Sequence, residues 1–241
     1  MLFRSAGESW LVSGDYKRCH DPSCTPFEPV QADVFISEAT FGLPIYRWET
    51  GAAVAHQILS WWRDEPEKPS VLFCYAFGKA QRVLAELHQL GVEDTVLLHG
   101  AVDRLMGPYR EAGVAMPPTM PLSQVPKGES LAGRLVIAPP AAHRSRGMAR
   151  LAKAQNGFVS GWMAVRGARR RRGYGRGFVM SDHADWAGLV RSVQESQAQQ
   201  VYVTHGQSTV LSRYLREMEG INAEPLEGAF EAERFDEEET P

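Results

Sequence analysis

WLVSGDYKR (10–18) and VFISEATFG (34–42) each run apolar, β-branched and aromatic residues into one ionisable side chain, Asp15 in the first and Glu38 in the second. FVMSDHADW (178–186) and VYVTHGQ (201–207) do the same and arrive at His183 and His205. Short apolar runs of this kind read as buried strands. Open α/β sheets place their chemistry at the C-terminal edge of the strands. The four stretches therefore predict two carboxylates and two imidazoles at one sheet edge, a donor set that suits a metal hydrolase. Taken singly, Asp15 reads as a strand-to-turn cap and either histidine as a satisfied core residue. It is the set of four that points to a site.

Outward from these motifs the chain alternates strand and helix. SVLFCY (70–75) reads as a strand, and Gly78–Leu90 follows with Ala80, Val83, Leu84, Leu87 and Leu90 at helical spacing. Thr95–His99 predicts a strand, Val102–Ala112 a helix, Arg134–Ala138 a strand, Arg146–Ala154 a helix and Gly157–Trp162 a strand. Beyond SDHADW the pattern gives a helix over Asp185–Ser196, a strand over Val201–Thr204 and a helix over Ser208–Met218. The Pro-rich stretches MPPTMPLSQVP (116–126) and APPAAH (138–143) read as loops. Such alternation predicts an α/β fold with a mostly parallel sheet and helices on both faces.

A chain of 241 residues is long enough for one large core or two modest ones. Its 44% hydrophobic and 23% charged content is that of a globular protein. No apolar run reaches membrane-spanning length, and the N-terminus lacks the apolar segment of a signal peptide, so a cytoplasmic protein is expected, with no membrane partner. Three cysteines, an odd number, argue against a disulfide framework and for a reducing compartment. Cys19-His20 with Cys24 lacks zinc-knuckle spacing and reads as loop and core cysteines.

The net charge of −3 hides a division: the tail from Glu227 carries seven acids and one arginine, leaving +3 on the rest. The segment 227–241 reads as a disordered acidic tail. Arg166 to Arg176 holds six arginines in eleven residues, with His143, Arg144, Arg146, Arg150 and Lys153 nearby in sequence. A basic stripe just before SDHADW predicts contact with a phosphate backbone, against the alternative of a solvated loop.

The order SGDYKR, SEATFG, SDHADW, VTHG resembles the nucleases of the metallo-β-lactamase fold that carry a β-CASP domain. The wording is closest to the subgroup of ligase-associated DNA exonucleases, also called mRNA 3′-end processing factor-like. That family carries His-x-His-x-Asp-His before the SGD strand. No two of the seven histidines here stand two apart, so the chain looks like a member without its N-terminal third. The resemblance implies a partial metallo-β-lactamase fold from 1–42 and 178–226, with a β-CASP domain inserted at 43–177. It implies a site for two zinc ions, incompletely held here, with Asp15 the bridging ligand and His205 a terminal one. By the same resemblance His183 is the histidine that acts as general acid or touches the scissile phosphate, and Glu38 orients it; Asp182 and Asp185 flank His183 and are candidates to hold its tautomer. Lys79, in the Phe77–Gln81 strand-to-helix passage, and Arg144, Arg166, Arg169, Arg170 and Arg171 are the expected phosphate contacts. Trp48 and Trp186 are candidates for stacking on bases, or for core packing. The implied activity is zinc-dependent DNA exonuclease action in repair, beside a DNA ligase and a helicase. RNA 3′-end processing is one alternative, and a non-catalytic nucleic-acid-binding or scaffold protein is another.

Overall fold

The structure is a computed structural model that describes residues 1–143, 145–165 and 173–226. It is α/β and divides into two compact units. One comprises Met1–Cys19, Phe27–Arg47 and the described residues from Asp182 onward; the other comprises His20–Pro26 and those of Trp48–Ser181. The family resemblance implies seams at 42/43 and 177/178. In the structure they fall at Arg47/Trp48 and Ser181/Asp182, and His20–Pro26 joins the second unit. The acidic tail lies outside the described residues.

The first unit is built on five strands: β1 (Leu2–Ser5), β2 (Glu8–Val12), β3 (Val34–Glu38), β10 (Gln200–Thr204) and β11 (Ala223–Pro225), in the order β1-β2-β3-β10-β11. The β1–β2 pair is a hairpin; every other pairing is parallel. Phe35, Val201 and Val203 lie on one face and pack with Leu189 and Val193 of α5 (Trp186–Ser196) and Leu211 and Leu215 of α6 (Ser208–Met218). On β2 and β10, Trp10 stacks on Tyr202 at 6.2 Å. Phe3, directly across from Trp10, is 52% exposed and Trp10 itself 37%.

The second unit carries β4 (Ser70–Phe73), β5 (Val96–Leu98), β6 (Thr119–Pro121), β7 (Leu135–Ala138), β8 (Gln155–Val159) and β9 (Arg176–Phe178), all paired in parallel in the order β6-β5-β7-β4-β8-β9. All four residues of β4 are buried, as a strand covered on both faces requires. Leu72 faces a core with α1 (Gly51–Arg63) and α2 (Lys79–Gln89), while Val71 and Phe73 face a second core beneath Leu122, Met148 and Leu151. Each such side chain contributes about 1.5–3 kcal/mol by leaving water. Indole Nε1 of Trp62, at 1% exposure, donates to the carbonyl of Gly133 at 2.8 Å.

Four expected elements differ. Val102–Ala112 is two helices, α3 (Gly100–Asp103) and α4 (Met106–Glu111). Pro108 has no N–H to give residue 104 and its ring crowds that carbonyl, which breaks the run there. Arg146–Leu151 is a 3-10 helix. Met148 and Leu151, both 6% exposed, are three apart, and three residues per turn bring both to the core. The strand ending at Trp162 stops at Val159, because Ser160 caps a short 3-10 turn by accepting the N–H of Trp162. Lastly, the FVM run is a strand only to Phe178, and it pairs with β8 in the six-stranded sheet.

Candidate functional site

That last difference changes how the site is assembled. Asp15, Glu38 and His205 follow strands of the five-stranded sheet, but His183 arrives on an irregular segment after β9. The site is thus three strand ends of one sheet and a loop, rather than four strand ends.

Glu38 closes β3 and is 2% exposed. Its Oε2 accepts the N–H of Thr40 at 2.9 Å, and its Oε1 lies 3.2 Å from Nδ1 of His183. Asp15 follows Gly14, whose φ of +59° turns the chain out of β2, and its Oδ1 lies 3.9 Å from the same Nδ1. The Asp15 side chain is 65% exposed and that of His183 27%, so the group opens to solvent on the Asp15 side. Behind it, Ala184 donates its N–H to the carbonyl of Tyr16 at 2.6 Å, and the hydroxyl of Tyr16 lies 3.0 Å from that of Ser37. The ring of Phe41 meets the His183 imidazole edge-on at 5.7 Å. Tyr16, Thr40 and Phe41 stand inside the quoted motifs, but alternation of apolar and polar residues gave no signal for their roles.

Burial pulls the His183 pKa down, but the hydrogen bond and charge of Glu38, then the charges of Asp15 and Asp182, outweigh it and leave it above the usual 6.5. Burial pushes Glu38 up, but the His183 and Thr40 hydrogen bonds outweigh it and hold the carboxyl below its usual 4.5. Both shifts favour an imidazolium–carboxylate pair. Asp182 acts on His183 through its charge. Asp185 holds the N-terminus of α5, its Oδ1 accepting the N–H of Gly188 at 2.8 Å.

One ligand atom each from Asp15, Glu38 and His183 can be chosen so that all lie within 4.8 Å of one another. Among the described residues this is the group of three or more His, Cys, Asp or Glu able to hold a metal ion, and His205 is outside it. His205 is exposed with φ of +60°, and its Nδ1 lies 3.0 Å from Oγ1 of Thr204, the residue paired with Glu38 across β3 and β10. Two carboxylates and one imidazole fit a single divalent ion, since catalytic zinc sites use three protein ligands.

The expected phosphate contacts fare differently. Lys79 is 2% exposed, so its ammonium is not offered to an external strand. It follows Gly78, whose φ of +77° closes a three-residue turn with the N–H of Lys79 on the carbonyl of Phe77 at 3.0 Å. That turn needs glycine and draws the next side chain into the core. Arg144, Arg166, Arg169, Arg170 and Arg171 lie outside the described residues. Trp48 is half-buried. Trp186 is 7% exposed with its ring edge-on to Tyr214 at 4.8 Å, so packing and not base stacking is its role. Cys19, Cys24 and Cys74 are not joined in disulfides. Among the described residues no helix is long and apolar enough to cross a membrane.

No family model matches the chain. It is 31% identical over 211 residues to a protein described as a probable DNA ligase from Opitutus terrae (strain DSM 11246 / JCM 15787 / PB90-1). The match covers 87% of this chain and 20% of that protein, so the chain spans about a fifth of the length of the curated relative it matches. Its fold is similar to that of a crystal structure of a protein of unknown function from Enterococcus faecalis V583, with a TM-score of 0.51 at 9% identity over 84% of this chain and 53% of that one.

Proposed function

We propose that this chain carries the proton-donating part of a metal-dependent phosphodiester hydrolase acting on DNA. The fold proposed is part of a metallo-β-lactamase fold with an inserted β-CASP domain, the nuclease group its motifs resemble. The observation that carries the proposal is His183 Nδ1 held 3.2 Å from buried Glu38 and 3.9 Å from Asp15. With Nδ1 turned to the carboxylates, Nε2 is the ring nitrogen that can serve a substrate oxygen. Glu38 fixes the ring's orientation and favours its charged form. His183 then gives its proton to the leaving oxygen of the phosphodiester, a role worth about 100- to 10,000-fold in rate. Asp15, the exposed carboxylate, would hold a divalent ion, and His205 is the further donor the resemblance assigns to it. A bound ion supplies charge neutralisation at the phosphoryl oxygens and a more acidic water. Zinc is the ion proposed; of Asp15, Glu38 and His183, whose chosen ligand atoms lie within 4.8 Å of one another, Asp15 is the member given to the ion. Similarity to a stretch of a probable DNA ligase favours DNA over RNA and a setting beside strand joining in repair.

The test is purified chain with end-labelled DNA and RNA, single-stranded and duplex, in Zn2+ and in Mn2+. Metal-dependent cleavage of DNA that His183→Ala removes supports the proposal. Cleavage of RNA alone moves the substrate class. Binding of DNA with no cleavage in either metal, unchanged by His183→Ala, leaves a nucleic-acid-binding module in its place.

A further inference from the structure

Arg82, on α2, is 1% exposed. Its Nη1 donates to the carbonyl of Ser181 at 2.7 Å and its Nη2 to the carbonyl of His20 at 3.3 Å. Its Nε lies 3.5 Å from Oδ2 of Asp21 and 3.9 Å from Oε1 of Glu86. Burying a guanidinium among carboxylates contributes little net stability compared with an apolar side chain of similar volume. What it does provide is geometry. One planar group with donors in a fixed fork holds two backbone carbonyls that are remote in sequence.

Those two carbonyls are not arbitrary. Asp15 lies shortly before His20, and His183 comes directly after the Ser181-Asp182 pair. The passages bearing Asp15 and His183 are therefore tied together at two places. One tie is the hydrogen bond from Ala184 to Tyr16 at 2.6 Å. The other is the Arg82 fork across His20 and Ser181. We propose that Arg82 is a positioning residue for the site: by fixing the carbonyls of His20 and Ser181 it sets the spacing of the two passages on which Asp15 and His183 stand. This rests on the reading of Asp15, Glu38 and His183 as a functional group.

Lysine at 82 keeps a charge beside Asp21 and Glu86 but has no fixed fork. Asparagine at 21 removes an equally buried ionic partner, leaves both carbonyls bonded to Arg82, and retains the Oδ1 that accepts from the N–H of Ser23 at 2.7 Å. Amide hydrogen exchange, read in metal-free protein, separates the two. Arg82→Lys should raise exchange at Ala184 and its neighbours by about tenfold or more, as expected for losing a hydrogen bond from a charged donor, and leave α6 unchanged. Asp21→Asn should leave Ala184 unchanged. Mn2+ affinity, followed by electron paramagnetic resonance, should fall in Arg82→Lys and hold in Asp21→Asn. Exchange rising evenly along the chain in Arg82→Lys, or a rise at Ala184 of equal size in Asp21→Asn, overturns the proposal. If Arg82→Lys does not fold, the wild-type protein decides: under increasing denaturant Ala184 should open together with α2, and opening well before α2 overturns it. Failure of wild-type protein to bind Mn2+ counts against the hydrolase reading alone, because the exchange contrast needs no metal.

Discussion

Replacing Glu38 by glutamine should remove a pH-dependent part of the protein's stability, and the structure gives both its size and its pH window. The Oε1 to His183 Nδ1 separation is 3.2 Å, and the side chains are 2% and 27% exposed. A hydrogen bond between charged partners this well buried contributes about 1.5–3 kcal/mol. The His183 pKa lies above 6.5, so its share of the coupling is complete below that value and fades as pH rises through the raised one. The Glu38 pKa lies below 4.5, so its share is complete above that value and is lost as pH falls through the lowered one. The full coupling therefore stands between roughly pH 4.5 and 6.5. Thermal melts of wild type, Glu38→Gln, His183→Gln and the double variant form a cycle that isolates it. At pH 5.5 the coupling should be about 2 kcal/mol, or about 4–8 °C for a chain of this size, and at pH 9 it should be much smaller. A coupling that is equal at the two pH values would show that His183 does not change its charge between them, and the acid role would have to be withdrawn.

Gly206→Ala should cost about 3 kcal/mol in a thermal melt, because a Cβ there would stand 2.3 Å from the carbonyl oxygen of Ala39 at a φ of +60°. Asp15→Ala should abolish binding of zinc or Mn2+, whereas His183→Ala should retain it; mass-spectrometric metal analysis after dialysis decides, and release of metal as complete in His183→Ala as in Asp15→Ala makes His183 a ligand. Alanine at three of Arg166, Arg169, Arg170 and Arg171 should flatten the salt dependence of single-strand binding by about 0.7 slope units for each phosphate no longer neutralised, and an unchanged slope in a fluorescence titration leaves them solvated only.

The extents of β3 and α6 were legible because β3 is buried at four of its five residues and α6 has a clean helical period. That Asp15, Glu38 and His183 come together was legible because each stands at or just after an apolar run in the sequence. What the sequence hid was three-dimensional. Nothing in the local pattern of Lys79 or Trp186 distinguishes an exposed side chain from a buried one; packing decides it. The FVM run has strand character, but pairing with β8 ends at Phe178, so the residues that follow reach His183 without a ladder. Pro108 could have signalled the break between α3 and α4, since its clash falls one turn upstream, where the apolar period still continues. His20–Pro26 carries no local sign that it leaves the first unit, because what holds it is Arg82, far along the chain.

The unit that bears the site is discontinuous in the chain, and this has a consequence for how the protein comes into being. His183 is separated from Glu38 by 145 residues. At translation rates of about 5–20 residues per second, roughly 7–29 s pass between the ribosome's addition of the two. During that interval β3 has been made but its parallel partner β10 has not, and its open edge is exposed to whatever is nearby. The second unit is almost wholly synthesised in the meantime and can fold first. The nascent chain therefore lacks the paired His183 and Glu38 until the stretch that bears His183 emerges, so the pair forms only late in synthesis.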